Sequence, residues 1–531
     1  MAEPYDDDEV HDEVELPTVY NDDFVPLVEN AEVAPVADIP DTIRNFILYF
    51  HRNLNERSVY DLHSIYENSF NKLTEKFYSK ASWPDASSIA PIVNDDPVFL
   101  ILYKELYYRH IYAKLQPSID DRFESYTNYC DLFNYILNQS TEPIDLELPN
   151  QWLWDIIDEF IYQFQSFAQY RSKVKSKNDH ELLLLKERPD VWNVHNVLNV
   201  LYSLVQKSRI NEQLWVSKHG GDMLEAAGEF GSRPLYRTLG YFSIVGLVRV
   251  HCLLGDYTLA LKTMENVEPN KKGLFARVTA CHVTTYYYVG FAYMMMKRYA
   301  DAIKSFSHIL LFVSRTKHYH TRSYQYEVIA KKSEQMYALL AMCLALCPQK
   351  VDENVQSTLR EKYGEHMLKM QRGDDALSVF DELFNFACPK FISPVAPNYD
   401  VAVNISNEPT RHQLKIFLAQ VNQQLLAPTI RSYLKLYTTI DAEKLATFLE
   451  DVTAEQVGTH LMVYKHQTRQ RRWESGSLAE GQFVTTSDLD FYVNQDMVHI
   501  ADTKVGRRVA EWFVRHINKF EDIVGNMEKR K

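Results

Sequence analysis

The sequence predicts a mostly α-helical chain: a solenoid of stacked helical repeats, then a small module of two helices and a β-hairpin, then a terminal helix. Three observations predict it. Apolar residues recur at helical spacing through most of the chain, and one stretch repeats a two-helix pattern with small residues at fixed offsets. The period switches to strict alternation only near residues 483–502. The composition agrees: 16 glycines in 531 residues are about 3% against a usual ~7%, which favours long helices over glycine-rich phosphate loops. The length exceeds one ordinary core, so several units or a solenoid are expected.

Residues 1–40 form an acidic tail. Residues 1–43 hold 14 Asp and Glu and no Lys or Arg, are punctuated by proline and lack helical periodicity, so the tail is expected to be disordered, solvating the chain or docking a basic partner. The net charge of −14 therefore belongs to this segment, because the other 57 acids balance 57 bases. No overall basic field exists to drive nonspecific nucleic-acid binding.

Residues 41–218 make an N-terminal helical region. Ile43, Phe46, Ile47, Phe50 and Leu54 recur at helical spacing, followed by Tyr60, Ile65, Phe70, Leu73 and Phe77. Further stripes run through Phe99, Leu102, Leu106, Tyr107 and Ile111, then Tyr126, Cys130, Phe133 and Ile136, with Pro97, Pro117 and Pro143 between them. The aromatics of residues 152–167 could suggest base stacking, but at this spacing they predict a buried helix face. Residues 219–234 carry four of the 16 glycines (Gly220, Gly221, Gly228 and Gly231) and are expected to be a connection inside the helical body.

Residues 235–428 contain the repeats. Tyr286, Gly290 and Tyr293 followed by Ala302, Phe306 and Ile309 match the tetratricopeptide pattern, in which small residues let two helices approach while aromatics fill the groove. Gly255-Asp256-Tyr257, Ala260 and Met264 repeat its second half, as do Gly373-Asp374-Asp375-Ala376, Phe380 and Leu383. The period is irregular. Such a helix pair buries its apolar face only by stacking on a neighbour, which yields a curved solenoid. Pro389, Pro394, Pro397 and Pro409 exclude a continuous helix over residues 386–409. Leu414, Leu418, Val421 and Leu425 then form a helix that Pro428 closes.

Residues 429–503 read as a helix-turn-helix with a hairpin. Asp441 caps one helix, with Ile440 and Leu445 as its hydrophobic staple; Thr453 and Gln456 form a capping box, with Val452 and Val457 as the second staple. Leu489, Phe491 and Val493 alternate with Asp490 and Tyr492, Asn494-Gln495-Asp496 turns, and Val498 and Ile500 resume the alternation. Two helices and a hairpin make a winged helix, whose free edge is expected at residues 498–502. Residues 504–531 close the chain with an amphipathic helix and a basic tail.

Tyr433-Leu434-Lys435-Leu436-Tyr437-Thr438-Thr439-Ile440, running from helical repeats into a capped helix, resembles the junction of a PCI domain, in which right-handed repeats end in a winged helix. Scaffold subunits of the proteasome lid, the signalosome and translation initiation factor three are built this way. Leu359-Arg360-Glu361-Lys362-Tyr363-Gly364, Cys388-Pro389-Lys390-Phe391, Ser393-Pro394-Val395 with Pro397-Asn398-Tyr399-Asp400, and His499-Ile500-Ala501-Asp502-Thr503-Lys504-Val505 narrow the resemblance to subunits of the initiation factor. It implies a non-catalytic scaffold that supports assembly of the pre-initiation complex and mRNA recruitment. The implied partners are other PCI and MPN subunits, with subunit K a neighbour, and the small ribosomal subunit; contact with mRNA or rRNA would be indirect. The alternatives are a scaffold of the proteasome-lid or signalosome type and a winged-helix RNA-binding protein.

No catalytic, metal or cofactor site is expected. G-x-x-x-x-G-K-[ST], G-x-S-x-G and H-E-x-x-H do not occur. His318-Tyr319-His320 lacks the spaced serine and aspartate of a metalloprotease of the JAMM type. The six cysteines, Cys130, Cys252, Cys281, Cys343, Cys347 and Cys388, include no C-x-x-C pair and are expected as reduced core thiols in a cytosolic chain. The longest unbroken apolar run, residues 338–347, is short of the ~18 residues of a membrane span.

Candidate partner-binding residues are Val498, His499 and Ile500 at the wing edge, and Val505, Val509, Trp512, Phe513 and Phe520 on the terminal helix. Lys465, Arg469, Arg471 and Arg472, with Trp473 beside them, follow the second helix of the helix-turn-helix, where they could meet RNA phosphates. Val457, Leu461 and Tyr464 are that helix's packing stripe, which argues against base readout.

Overall fold

The computed structural model describes residues 39–138, 142–268, 273–320, 325–372, 375–401, 403–449, 452–487 and 489–528. The acidic tail up to residue 38 lies outside them, as do Gly373 and Asp374 of the third repeat and the side chains of His318, Tyr319, His320 and Val505. The described chain is mostly helical, and no strand among the described residues precedes Thr439.

Each apolar stripe becomes a helix because its ends are capped and its face is covered. Asp96 accepts from the backbone N–H groups of Val98 and Phe99 to start Pro97–Lys114, and Ser118 with Asp121 forms a capping box at the start of Ile119–Leu137. In Asn150–Arg171, Trp152, Phe160, Phe164 and Phe167 are buried as expected. The Trp152 ring stacks on Tyr66, with centroids 5.2 Å apart.

The repeat pattern corresponds to real packing. Thr279–Met295 and Tyr299–His320 approach so closely that a Cβ on Gly290 would lie 2.5 Å from the Phe306 ring. The small residues at the equivalent offsets, Ala260, Ala302 and Ala376, are all fully buried. The described residues between the helices Ala376–Ala387 and Glu408–Asn422 are irregular but tied down: Ile392 N–H donates to Leu253 O at 3.1 Å, and Gln165 Nε2 to Lys390 O at 2.8 Å.

Residues 219–234 depart from the expectation of a connection. They contain the helix Met223–Gly231, kinked at Gly228, and the apolar core runs past them without a break from Ile210 to Leu235. Their glycine serves close packing, since a Cβ on Gly231 would lie 2.2 Å from Ser208 O. The next helix, Pro234–Leu254, is long and apolar enough to cross a membrane by length and composition, although Arg237 and Arg249 interrupt its apolar run. In this fold 89% of its most apolar window is buried, packed against Val194–Ser208 and Asn150–Arg171.

Two apolar cores result. One extends from Ile43 to Val421 and also includes Leu478; the other, from Ile430 to Val498, belongs to the terminal module. The module's helices, Ala442–Phe448 and Ala454–Thr468, begin at the expected caps: Asp441 accepts from Glu443 N–H, and the Thr453–Gln456 capping box is present.

The strands correct the sequence reading. They are β1 (Thr439–Asp441), β2 (Arg469–Arg472), β3 (Gln482–Thr485), β4 (Leu489–Asn494) and β5 (Met497–Asp502). One antiparallel sheet has the order β1-β5-β4, and β2 and β3 form a separate antiparallel ribbon. The sheet therefore is not confined to residues 483–502. Thr439 and Ile440 pair with His499 and Val498, so Ile440 is a strand residue as well as a helix staple. This places β5 in the centre over residues 497–500, so Val498, His499 and Ile500 do not lie on a free edge.

Candidate interaction surfaces

The three-stranded sheet has two outer sides, those of β1 and β4, and side chains already occupy part of the β4 edge. Lys465 Nζ donates to Phe491 O at 2.6 Å and lies 3.1 Å from Asp490 Oδ1, while Asp490 Oδ1 accepts from Phe491 N–H at 2.9 Å. Both backbone groups of Phe491 are thus satisfied locally, a protection against strand addition. Lys465 is a structural tie between Ala454–Thr468 and β4. It does not share the surroundings of Arg469, Arg471 and Arg472, which stand exposed on β2, Arg469 being also the C-cap of Ala454–Thr468.

Of the expected wing-edge residues, Val498 is fully buried. His499 is half-buried and stacks on Tyr492 with centroids 4.8 Å apart. Ile500 is half-buried, and its N–H donates to Thr438 O at 2.8 Å. Pairing on both sides, invisible in the local alternation, removes these residues from any free edge.

The terminal helix, Thr503–Glu528, presents the expected apolar face. Val509, Trp512, Phe513 and Phe520 are each 50% exposed or more, and Ile517 and Val524 continue the surface. An uncovered stripe of this length on a charged helix is the kind of surface that joins a bundle.

One structural site was missed from sequence. Arg298, 3% exposed, pairs with Asp301 at 2.7 Å and donates to the carbonyls of Leu478 at 3.0 Å, Ala479 at 3.1 Å and Glu480 at 2.9 Å. Both Asp301 oxygens accept from Trp473 N–H at 3.0 Å, and Tyr293 OH donates to Leu478 O at 3.0 Å. Burial raises the Asp301 pKa, opposed by the Arg298 charge. This clasp holds the loop joining β2 to β3 on the helical repeats. The i,i+3 spacing of Arg298 and Asp301 is visible in sequence, but carbonyls about 180 residues away carry no side-chain signal.

A second polar cluster lies deep in the N-terminal region. Glu105, Asp155 and Glu159 surround Arg109, which pairs with Glu105 and lies 3.7 Å from Asp155; Trp152 Nε1 donates to Glu105 at 3.0 Å. Burial pushes the Glu105 carboxyl well up and that of Glu159 to about 7, the latter against the pull of Arg109. Among the described residues, no group of three His, Cys, Asp or Glu could hold a metal ion. None of the six cysteines is bonded to another; five are buried, and Cys130 is half-buried.

Residues 121–520 match the family model described as RNA polymerase I-associated factor PAF67. A Nematostella vectensis protein named eukaryotic translation initiation factor 3 subunit L is 55% identical over 494 residues, covering 92% of this chain and 93% of the relative. The chain belongs to the translation initiation factor 3 subunit L family. A Gallus gallus subunit L is 51% identical over 99% of this chain and 98% of its own length. A Mycosarcoma maydis subunit L is 54% identical over 93% of this chain and 75% of its own length. The match to the subunit L relatives extends over nearly the whole sequence.

Proposed function

We propose that this chain is a non-catalytic scaffold of the translation initiation factor 3 complex, supporting assembly of the pre-initiation complex on the small ribosomal subunit and mRNA recruitment. The architecture supports a PCI reading: stacked helical pairs over residues 235–428, then two capped helices with a three-stranded sheet in place of a simple wing over residues 429–503. In this reading the partners are other PCI and MPN subunits of the factor, with subunit K a neighbour.

The observation that carries the proposal is the uncovered apolar face of Thr503–Glu528. Val509, Trp512, Phe513 and Phe520 follow a module whose own core is closed, so burying them requires helices from other subunits. Local pairing of the Phe491 backbone disfavours strand addition at that point of β4, which leaves the helix as the larger uncovered surface of the module. Truncation before Thr503 is expected to abolish co-purification of partner subunits while the remaining chain keeps its helical circular dichroism. Retention of every partner would move assembly to the repeats.

A further inference from the structure

We propose that the outward face of the β2–β3 ribbon binds single-stranded RNA, through Arg469 and Arg471 on phosphates and Phe483 on a base. This goes beyond the scaffold role and does not depend on it. The register opposes Arg469 to Thr485 and Arg471 to Phe483, and residues directly opposed share a face. One face therefore carries two guanidinium groups, a phenyl ring and a hydroxyl, with no carboxylate. The other carries Gln470, which is buried and accepts from Ala300 N–H at 3.2 Å, Val484, which is half-buried, and, at the loop end, the exposed Arg472 and Gln482.

The face is both open and held. Phe483 is 64% exposed, and the Arg471 guanidinium lies over its ring at 5.2 Å. Exposure of a phenyl ring in water is unfavourable unless something covers it, and the flat face of a base is a suitable cover because every base offers a π-surface. Arg469 and Arg471, two residues apart on one strand, sit about 6.8 Å apart by strand rise, so adjacent phosphates of an extended strand can engage both. An acidic peptide would use the arginines but leave the ring unexplained. The Arg298–Asp301 clasp fixes the ribbon's connecting loop before any ligand arrives, so less ordering accompanies binding.

The test is fluorescence anisotropy of the full chain with a labelled oligouridylate of about 12 nucleotides, within the site sizes of strand-tracking proteins, at several salt concentrations. Wild type is expected to bind at low salt. The double variant Arg469→Gln/Arg471→Gln is expected to weaken binding at least tenfold and to flatten the log–log salt slope by about 1.4, two phosphate contacts at ~0.7 each. Phe483→Ala is expected to weaken it about tenfold with the slope unchanged. Lys186→Gln/Lys369→Gln, with the same loss of charge elsewhere, is expected to bind like wild type. The proposal is overturned if wild type does not bind at low salt, or if the arginine variant matches the charge control. It is also overturned if a peptide of residues 1–38 displaces the oligonucleotide and loses its own binding in the same arginine variant. That outcome would make the ribbon an anchor for the chain's acidic tail.

Discussion

At Gly290 a single hydrogen decides how near two helices come. A methyl there would meet the Phe306 ring, which is fully buried. Gly290→Ala gains helix propensity worth under about 1 kcal/mol but overpacks the groove, so a net loss of about 1–2 kcal/mol is expected by denaturant titration. Glu159 offers a test by pH. Its folded pKa of about 7 lies above the unfolded value near 4.3, so the folded state holds the extra proton. Its contribution to stability is fully present below the unfolded pKa, falls as pH rises from about 4 to 7, and stays lost above that. Glu159→Gln keeps an acceptor for Gln163 Nε2, now 3.0 Å from Glu159, and cannot ionise. Stabilisation of about 1–2 kcal/mol at pH 8, allowing for solvent screening, and none at pH 4 is the expected result of paired melts.

At the scale of elements, the clasp joins a hairpin to a helix pair. Arg298→Met removes four interactions and leaves Asp301 buried without its cation, so the expected cost is about 3–5 kcal/mol. The loop joining β2 to β3 should then become susceptible to limited proteolysis while helical circular dichroism persists. An undisturbed loop would show that Leu478, which lies in the larger core, holds the hairpin alone. The sheet teaches a related lesson. β5 was legible as a strand from its alternation, but its neighbour β1 is three residues long and merges into a helix cap. So short a strand has no period of its own, and its identity depends on the partner it finds.

For the whole molecule, charge and fold separate along the chain. Residues 1–38 carry 13 of the 71 acids and no base, so removing them changes the formal net charge from −14 to −1. Their sequence offers little periodic apolar surface, and the described cores begin at Ile43 without them. Deletion is expected to leave Tm unchanged but to promote association at low salt, where a near-neutral chain loses its self-repulsion. Scanning calorimetry and light scattering read the two effects independently. A large fall in Tm would mean that the acidic tail packs on the body.

The sequence by itself determined the elements. Helical spacing marked Ile43 to Phe50 and Val509 to Phe520, caps marked Asp441 and Thr453, and the Gly290–Phe306 offset marked a helix pair, because each is a local relation between residues a few turns apart. Only the tertiary structure decided what those elements meet. It turned Gly231 from a linker residue into a close contact, buried Val498 between two strands, made Lys465 a guard for β4, and put Arg469, Arg471 and Phe483 on one open face. Burial and pairing in these cases depend on atoms tens to hundreds of residues away, and much of that contact is to backbone, which is chemically the same at nearly every position.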